Sequence, residues 1–123
     1  MGRGVGGGIL SRVYKILPRA EWKAAKAAGV YEGSAVDRAD GFIHFSTATQ
    51  AQETARRHFA NQRDLVVVAF DSDDLGASLR WERSRGGALF PHLYGSLPTG
   101  LVIGITEAPL GPDGTPDVGD LTP

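Results

Sequence analysis

The order of apolar and polar positions along the chain predicts a series of short elements. Residues 13–17 (Val-Tyr-Lys-Ile-Leu) read as a strand. Pro18 then suits a first helical turn, and residues 19–28 read as an Ala- and Lys-rich helix with Trp22 and Ala25 on one face. Gly29 is a good helix stop. Residues 32–40 read as a polar loop. Residues 41–46 alternate strictly, as a second strand does: Phe42, His44 and Ser46 share one face, and Ile43 and Phe45 the other. Thr47 stands three residues before Gln50, the spacing of a capping box, so a helix is expected to about residue 60. Its apolar stripe is Ala48, Ala51, Ala55 and Phe59. Residues 65–70 are continuously apolar and rich in branched side chains, a central strand. Residues 79–83 alternate and read as an edge strand, and residues 101–106 as the last strand. Strands outnumber helices, and the two main helices lie in the N-terminal half. The expected fold class is therefore α+β.

Composition narrows this picture without redirecting it. A chain of 123 residues suits one domain. The glycine-rich residues 1–11 read as a flexible leader, 12–108 as the globular domain, and the Pro-, Gly- and Asp-rich 109–123 as a mobile tail. There is no cysteine, which excludes disulfides, thiol nucleophiles and thiolate zinc sites. No apolar run approaches the roughly 20 residues of a membrane span, and no signal-peptide core is present. The expectation is a cytoplasmic protein, monomeric or weakly dimeric. Net charge is −1, but residues 1–63 hold ten Lys/Arg against five Asp/Glu, whereas residues 64–123 hold three against nine. A basic half favours a phosphate-bearing ligand. The absence of a dense Lys/Arg cluster, with a pI near 6.3, argues against duplex nucleic acid.

Candidate chemistry concentrates in two segments, Gly-Phe-Ile-His-Phe-Ser-Thr at 41–47 and Phe-Pro-His-Leu-Tyr-Gly at 90–95. Each sets a histidine, His44 or His92, among aromatic neighbours and hydrogen-bonding groups. His44 and Ser46 would lie roughly 6–7 Å apart on one strand face, a usable ligand surface. Phe42 and Tyr94 offer rings for stacking a planar ligand. A third polar stretch, 79–87, puts Arg80 and Glu82 on one strand face and places Arg85 before two glycines, so that Arg80 and Arg85 can clamp a phosphate or carboxylate. Neither a Gly-x-Ser-x-Gly elbow nor a His-Glu-x-x-His motif occurs. The histidines lie 14 and 34 residues apart with no carboxylate at ligand spacing around any two, so no metal is expected. His44 and Ser46 match half of a two-histidine phosphoesterase pattern, with His92 offering the second imidazole as acid or base.

Together, Trp22, the turn at 29–31, the 41–47 segment, Gln50, Leu-Arg-Trp-Glu at 79–82 and Pro-His-Leu-Tyr-Gly at 91–95 resemble the bacterial domain-of-unknown-function family 952. The resemblance spans roughly residues 13–106. That family is similar to ADP-ribosyltransferase-like folds, which implies a split β-sandwich gripping NAD in a cleft. It implies a first-strand residue on the nucleotide ribose, and Lys15 stands there where related sequences often carry His. It implies Ser46 and Thr47 on the nicotinamide side. For the third motif, Glu82, His92 and Tyr94 compete, Glu82 being suited to stabilise a ribosyl cation. Three functional expectations follow: an NAD-dependent transferase or glycohydrolase with NAD as cofactor, a phosphoesterase using His44 and His92, and a non-catalytic nucleotide-binding domain on a degenerate enzyme fold.

Overall fold

The computed structural model describes residues 11–123, so the expected leader lies, apart from Ser11, outside the described residues. The fold is mixed, with three antiparallel sheets. In the first sheet, β1 (Arg12–Pro18) pairs with β4 (Leu65–Asp71), and β4 with β8 (Gly104–Ala108). In the second, β3 (Ile43–His44) pairs with β6 (Leu89–Leu93), and β6 with β5 (Leu79–Arg83). A two-stranded sheet joins β2 (Val30–Tyr31) to β7 (Leu97–Pro98). Helix α1 spans Arg19–Ala28, α2 Ala35–Asp40, α3 Ala51–His58 and the single turn α4 Ser72–Leu75.

Both faces of β1 and β4 are covered, whereas β8 is mostly exposed. Val13, Leu17, Val66, Val68 and Phe70 face a core shared with Trp22 and Ala25 of α1 and with Ile43, Phe45 and Leu93 of the second sheet. Tyr14, Ile16, Leu65 and Val67 face Ala51 and Ala55 of α3 and Val118 of the C-terminal segment. The expected strand and helix types at 13–17, 19–28, 65–70 and 79–83 match what is observed. A bridge between Tyr14 and Ser46, which exchange backbone hydrogen bonds of 2.8 and 2.9 Å, ties the two large sheets together.

Five expectations need correction. The polar loop at 32–40 contains α2. Ser34 caps it, its hydroxyl accepting from the Asp37 N–H at 3.1 Å while Asp37 accepts from the Ser34 N–H at 2.9 Å. Gly41 closes the helix at φ 89°. The strand at 41–46 therefore shortens to Ile43–His44. The helix begun by Thr47 and Gln50 is regular only over Ala51–His58; Gln50 Oε1 accepts the Thr47 N–H at 3.1 Å, but Thr47 Oγ1 lies against Thr49. The strand at 101–106 sits a few residues later, because Thr99–Leu101 is wound as a 3₁₀ turn.

The fifth is the tail. Residues 109–123, expected to be mobile, pack on α3 and β1. Val118 is 3% exposed and Pro116 below 2%. Gln52 donates to the Pro116 carbonyl at 2.7 Å and accepts the Val118 N–H at 3.1 Å. The Tyr14 hydroxyl donates to the Thr122 carbonyl. A few apolar residues suffice here because α3 presents only small alanines, leaving a groove that Val118 fills.

Candidate functional site

The site lies on the face of the second sheet turned away from the core. Strand β6 is its middle strand although Pro91 sits in it, an arrangement a central strand normally refuses. Pro91 faces Trp81 in the register, and its carbonyl accepts from the Phe45 N–H at 3.0 Å. The missing N–H would therefore have bonded toward β3, and the β3 ladder ends at His44. Released there, the chain turns to pair Ser46 with Tyr14.

This register sets His44 directly opposite His92, and Arg80 opposite His92 on the other side. The imidazole centroids are 5.4 Å apart and meet edge to face. Phe42 stacks on His92 at 4.1 Å, and lies 4.6 Å from His44 and 5.2 Å from Tyr94. The Arg80 guanidinium sits 4.9 Å over the Tyr94 ring. A small open cavity of about 240 Å³ lies beside Phe42, lined also by Asp37, Arg38, Gly41, Gly95 and Ser96, and not by either imidazole or Tyr94.

Each imidazole is held by carboxylates. His92 Nδ1 lies 2.8 Å from Glu82 Oε1, which also accepts from the Tyr94 hydroxyl at 2.8 Å. These bonds, that of His92 first, draw the Glu82 carboxyl below its ordinary range, and the same contact raises the Tyr94 phenol. A carboxylate on Nδ1 leaves the other nitrogen of a neutral imidazole as an acceptor, the arrangement of a general base. His44 Nδ1 lies 2.6 Å from Asp37 Oδ1, and Nε2 lies 2.9 Å from Asp40 Oδ2. Both ring nitrogens of His44 thus face carboxylate oxygens.

Asp37 is the hub that sequence reasoning missed. It is 2% exposed. It takes the Lys15 ammonium at 2.9 Å and the His44 N–H at 3.1 Å while capping α2. Burial pushes its carboxyl up, but the His44 hydrogen bond and the Lys15 charge outweigh burial and hold it well below the usual carboxylate range. Burial likewise draws the Lys15 ammonium down, opposed by Asp37. The signal for Asp37 was present in the spacing of Ser34 and Asp37, but it was passed over as loop.

The nine residues expected at the site divide. His44, Glu82, His92, Arg80 and Tyr94 come together. Lys15 does not join them: it is buried under the sheet against Asp37, because β1 is covered on both faces. Ser46 is also buried, its hydroxyl 2.9 Å from that of Thr54. Thr47 serves the turn into α3. The Arg85 side chain lies outside the described residues. Of the cations in the basic N-terminal half, Arg19 pairs with Asp64 and Glu107, and Arg56 and Arg57 with Glu53. Among the described residues no group of three or more His, Asp or Glu side chains is arranged to hold a metal ion, and no helix is long and apolar enough to cross a membrane.

The family model DUF952, described as protein of unknown function, matches residues 16–105. The chain belongs to the DUF952 family. Its fold is similar to the crystal structure of protein CC0527 from Caulobacter crescentus, with 55% identity and a TM-score of 0.86 over 89% of this chain and 96% of that one. The solution structure of CC0527 matches with a TM-score of 0.79 at 55% identity, covering 89% of this chain and 94% of that one. No curated protein matches this DUF952 chain.

Proposed function

We propose that the face formed by Phe42, His44, His92 and Tyr94 binds NAD or a related nucleotide, on a fold of the ADP-ribosyltransferase-like kind. The observation that carries this reading is the convergence of two aromatic rings, two carboxylate-held imidazoles and the Arg80 guanidinium on one sheet face. Phe42 and Tyr94 offer surfaces for a planar base or nicotinamide, as aromatic residues do for unpaired bases. Arg80 suits a phosphate. Glu82 suits the cationic ribosyl centre that forms as nicotinamide leaves. The neighbouring cavity of about 240 Å³, which Phe42 lines, is smaller than the usual ~300–1,000 Å³ of a whole ligand site, so a dinucleotide would lie mostly on the open face. Burial of Lys15, which stands in the first-strand place, favours binding without transfer over full catalysis.

A second reading, phosphodiester hydrolysis by two histidines, is favoured by the direct cross-strand pairing of His44 and His92. It is weakened because the Ser46 hydroxyl, needed beside His44, is buried against Thr54.

Titration of the labelled protein with NAD, ADP-ribose and AMP to about 1 mM, a range that still detects the weakest specific ligands, tests the first reading by NMR. The expected result is chemical-shift change at His44, His92 and Tyr94, reduced in Phe42→Ala. No change with any of the three removes nucleotide binding. Nicotinamide release lost in Glu82→Gln would assign transfer to Glu82, whereas binding without release would assign a binding domain. Hydrolysis of a 2′,3′-cyclic nucleotide without NAD would support the second reading instead.

A further inference from the structure

We infer that strand β5 is a self-association edge, and that a second copy of this chain pairs with it antiparallel about Trp81, bringing its own Arg80 to Glu82. This inference shares Arg80 and Glu82 with the nucleotide reading but does not depend on it: it rests on the backbone of the strand, and its test reads association of the chain and not ligand binding.

The strand lies at the free end of its sheet, in the order β3-β6-β5. Its inner bonds are fixed by the register. Pro91 opposite Trp81 turns its backbone toward β3, so Trp81 and Pro91 form a non-hydrogen-bonded pair. The Tyr94 N–H donates to the Ser78 carbonyl at 2.9 Å, which gives the same alternation. Arg80 and Glu82 thus bond inward to β6, and the N–H and C=O groups of Trp81 and Arg83, with the C=O of Leu79, point to the open side. The Leu79 N–H is taken by the Gly76 carbonyl, and among the described residues no partner meets the outward groups of Trp81 and Arg83. Such a row of unpaired groups is a template for another strand.

The side chains choose the partner. In Leu-Arg-Trp-Glu-Arg, a two-fold axis at Trp81 sets each Arg80 opposite the other copy's Glu82. Trp81 meets its own counterpart, and Leu79 faces Arg83. The outward backbone groups of Trp81 are those a hydrogen-bonded pair at the axis requires. The flanking Arg80–Glu82 positions then fall on the closer, non-hydrogen-bonded sites, where side chains interact most. Glu82 Oε1 carries both His92 and Tyr94, so its contacts within the chain fall on one oxygen and the other faces an incoming guanidinium. Trp81 is 41% exposed, and beside it on the same face Leu89 is 48% exposed, so pairing also covers apolar surface. The β8 edge of the first sheet lacks this complementarity: an axis at Thr106 would set Ile105 against Glu107.

The two three-stranded sheets would join into one, placing both His44–His92 faces on the same side. Sedimentation equilibrium of the full chain tests this. The wild type should show a reversible monomer–dimer equilibrium below about 1 mM, as small interfaces do. Arg80→Glu opposes two pairs of carboxylates and should weaken the dimer by about tenfold. The double variant Arg80→Glu/Glu82→Arg restores both pairs with reversed polarity and should recover most of that loss. Trp81→Pro removes the outward N–H while sparing the ladder to β6, and should abolish the dimer. A wild type that stays monomeric at about 1 mM overturns the proposal, even if the edge then takes an extended peptide from another protein. So does a dimer indifferent to both Arg80→Glu and Trp81→Pro.

Discussion

At the scale of the residue, Asp37 does the most. One carboxylate caps a helix, neutralises a buried lysine and orients a histidine. Asp37→Asn leaves the Lys15 ammonium buried without a counter-charge, and should cost about 3–5 kcal/mol at pH 7. Adding Lys15→Met should recover a large share, since removing both charges spares the desolvation that the lone ammonium suffers. The pH dependence has a definite sign. Asp37 is depressed in the folded state, so the unfolded chain takes up the proton first as pH falls. The contribution is complete above the ordinary aspartate value of about 4 and is lost progressively below it, by at most ~1.4 kcal/mol per pH unit. Urea titrations at pH 7, 4, 3 and 2 should show the gap between wild type and Asp37→Asn narrowing only below about pH 4. A constant gap would show that the carboxylate's charge is not what stabilises.

At the scale of the element, α2 and the turn before it bring the carboxylates to the imidazole. Gly33 takes φ 105°, and a Cβ there would lie 2.8 Å from the Asp37 Cβ. Gly29 takes φ 83°, yet a Cβ there would meet nothing within 4 Å. Both substitutions to alanine carry the left-handed backbone cost of roughly 1–2 kcal/mol. Gly33→Ala adds a clash with the hub. It should therefore lower Tm more than Gly29→Ala and disturb the His44 resonances, while Gly29→Ala leaves them in place. Equal Tm losses with an undisturbed His44 would show that the turn yields without moving Asp37. The same element marks a limit of sequence reading. Ser34 and Asp37 have capping-box spacing, but a helix of six residues has too few turns to show a periodic apolar stripe.

At the scale of the molecule, the C-terminal segment completes the second core. Val118→Ala should cost about 1–3 kcal/mol, measured as a lower urea midpoint at unchanged slope. The Asp117 N–H donates to the Pro109 carbonyl at 2.8 Å, and the Val118 N–H to Gln52. Both amides should exchange slowly. Exchange at the rate of a free peptide, with a negligible effect of Val118→Ala, would mean the segment is not held in solution. Composition could not reveal this docking. A tail with one buried valine and four prolines looks like a linker until the surface it packs on is known.

Local patterns were enough to find what depends on neighbours in the chain. The runs at 13–17 and 65–70 had to be strands, the stretch at 19–28 a helix, and the histidine-flanking aromatics a likeness strong enough to suggest a family. The alternation Phe42, His44 and the pairing of Arg80 with Glu82 on one strand face also survive, because strand parity is a local property. Which face of a strand meets solvent is not. Lys15 was expected in a cleft and lies in the core, since β1 is covered on both sides and a two-sided strand carries no periodic mark of its exposed face. Ser46 turns inward because the bridge to Tyr14 takes it there. The pairing of His44 with His92, the bonding of Glu82 to both His92 and Tyr94, and the burial of Asp37 all join residues distant in sequence. Register, the position of Pro91 and the packing of the sheets decided them, and only the folded chain brings these groups within hydrogen-bond range.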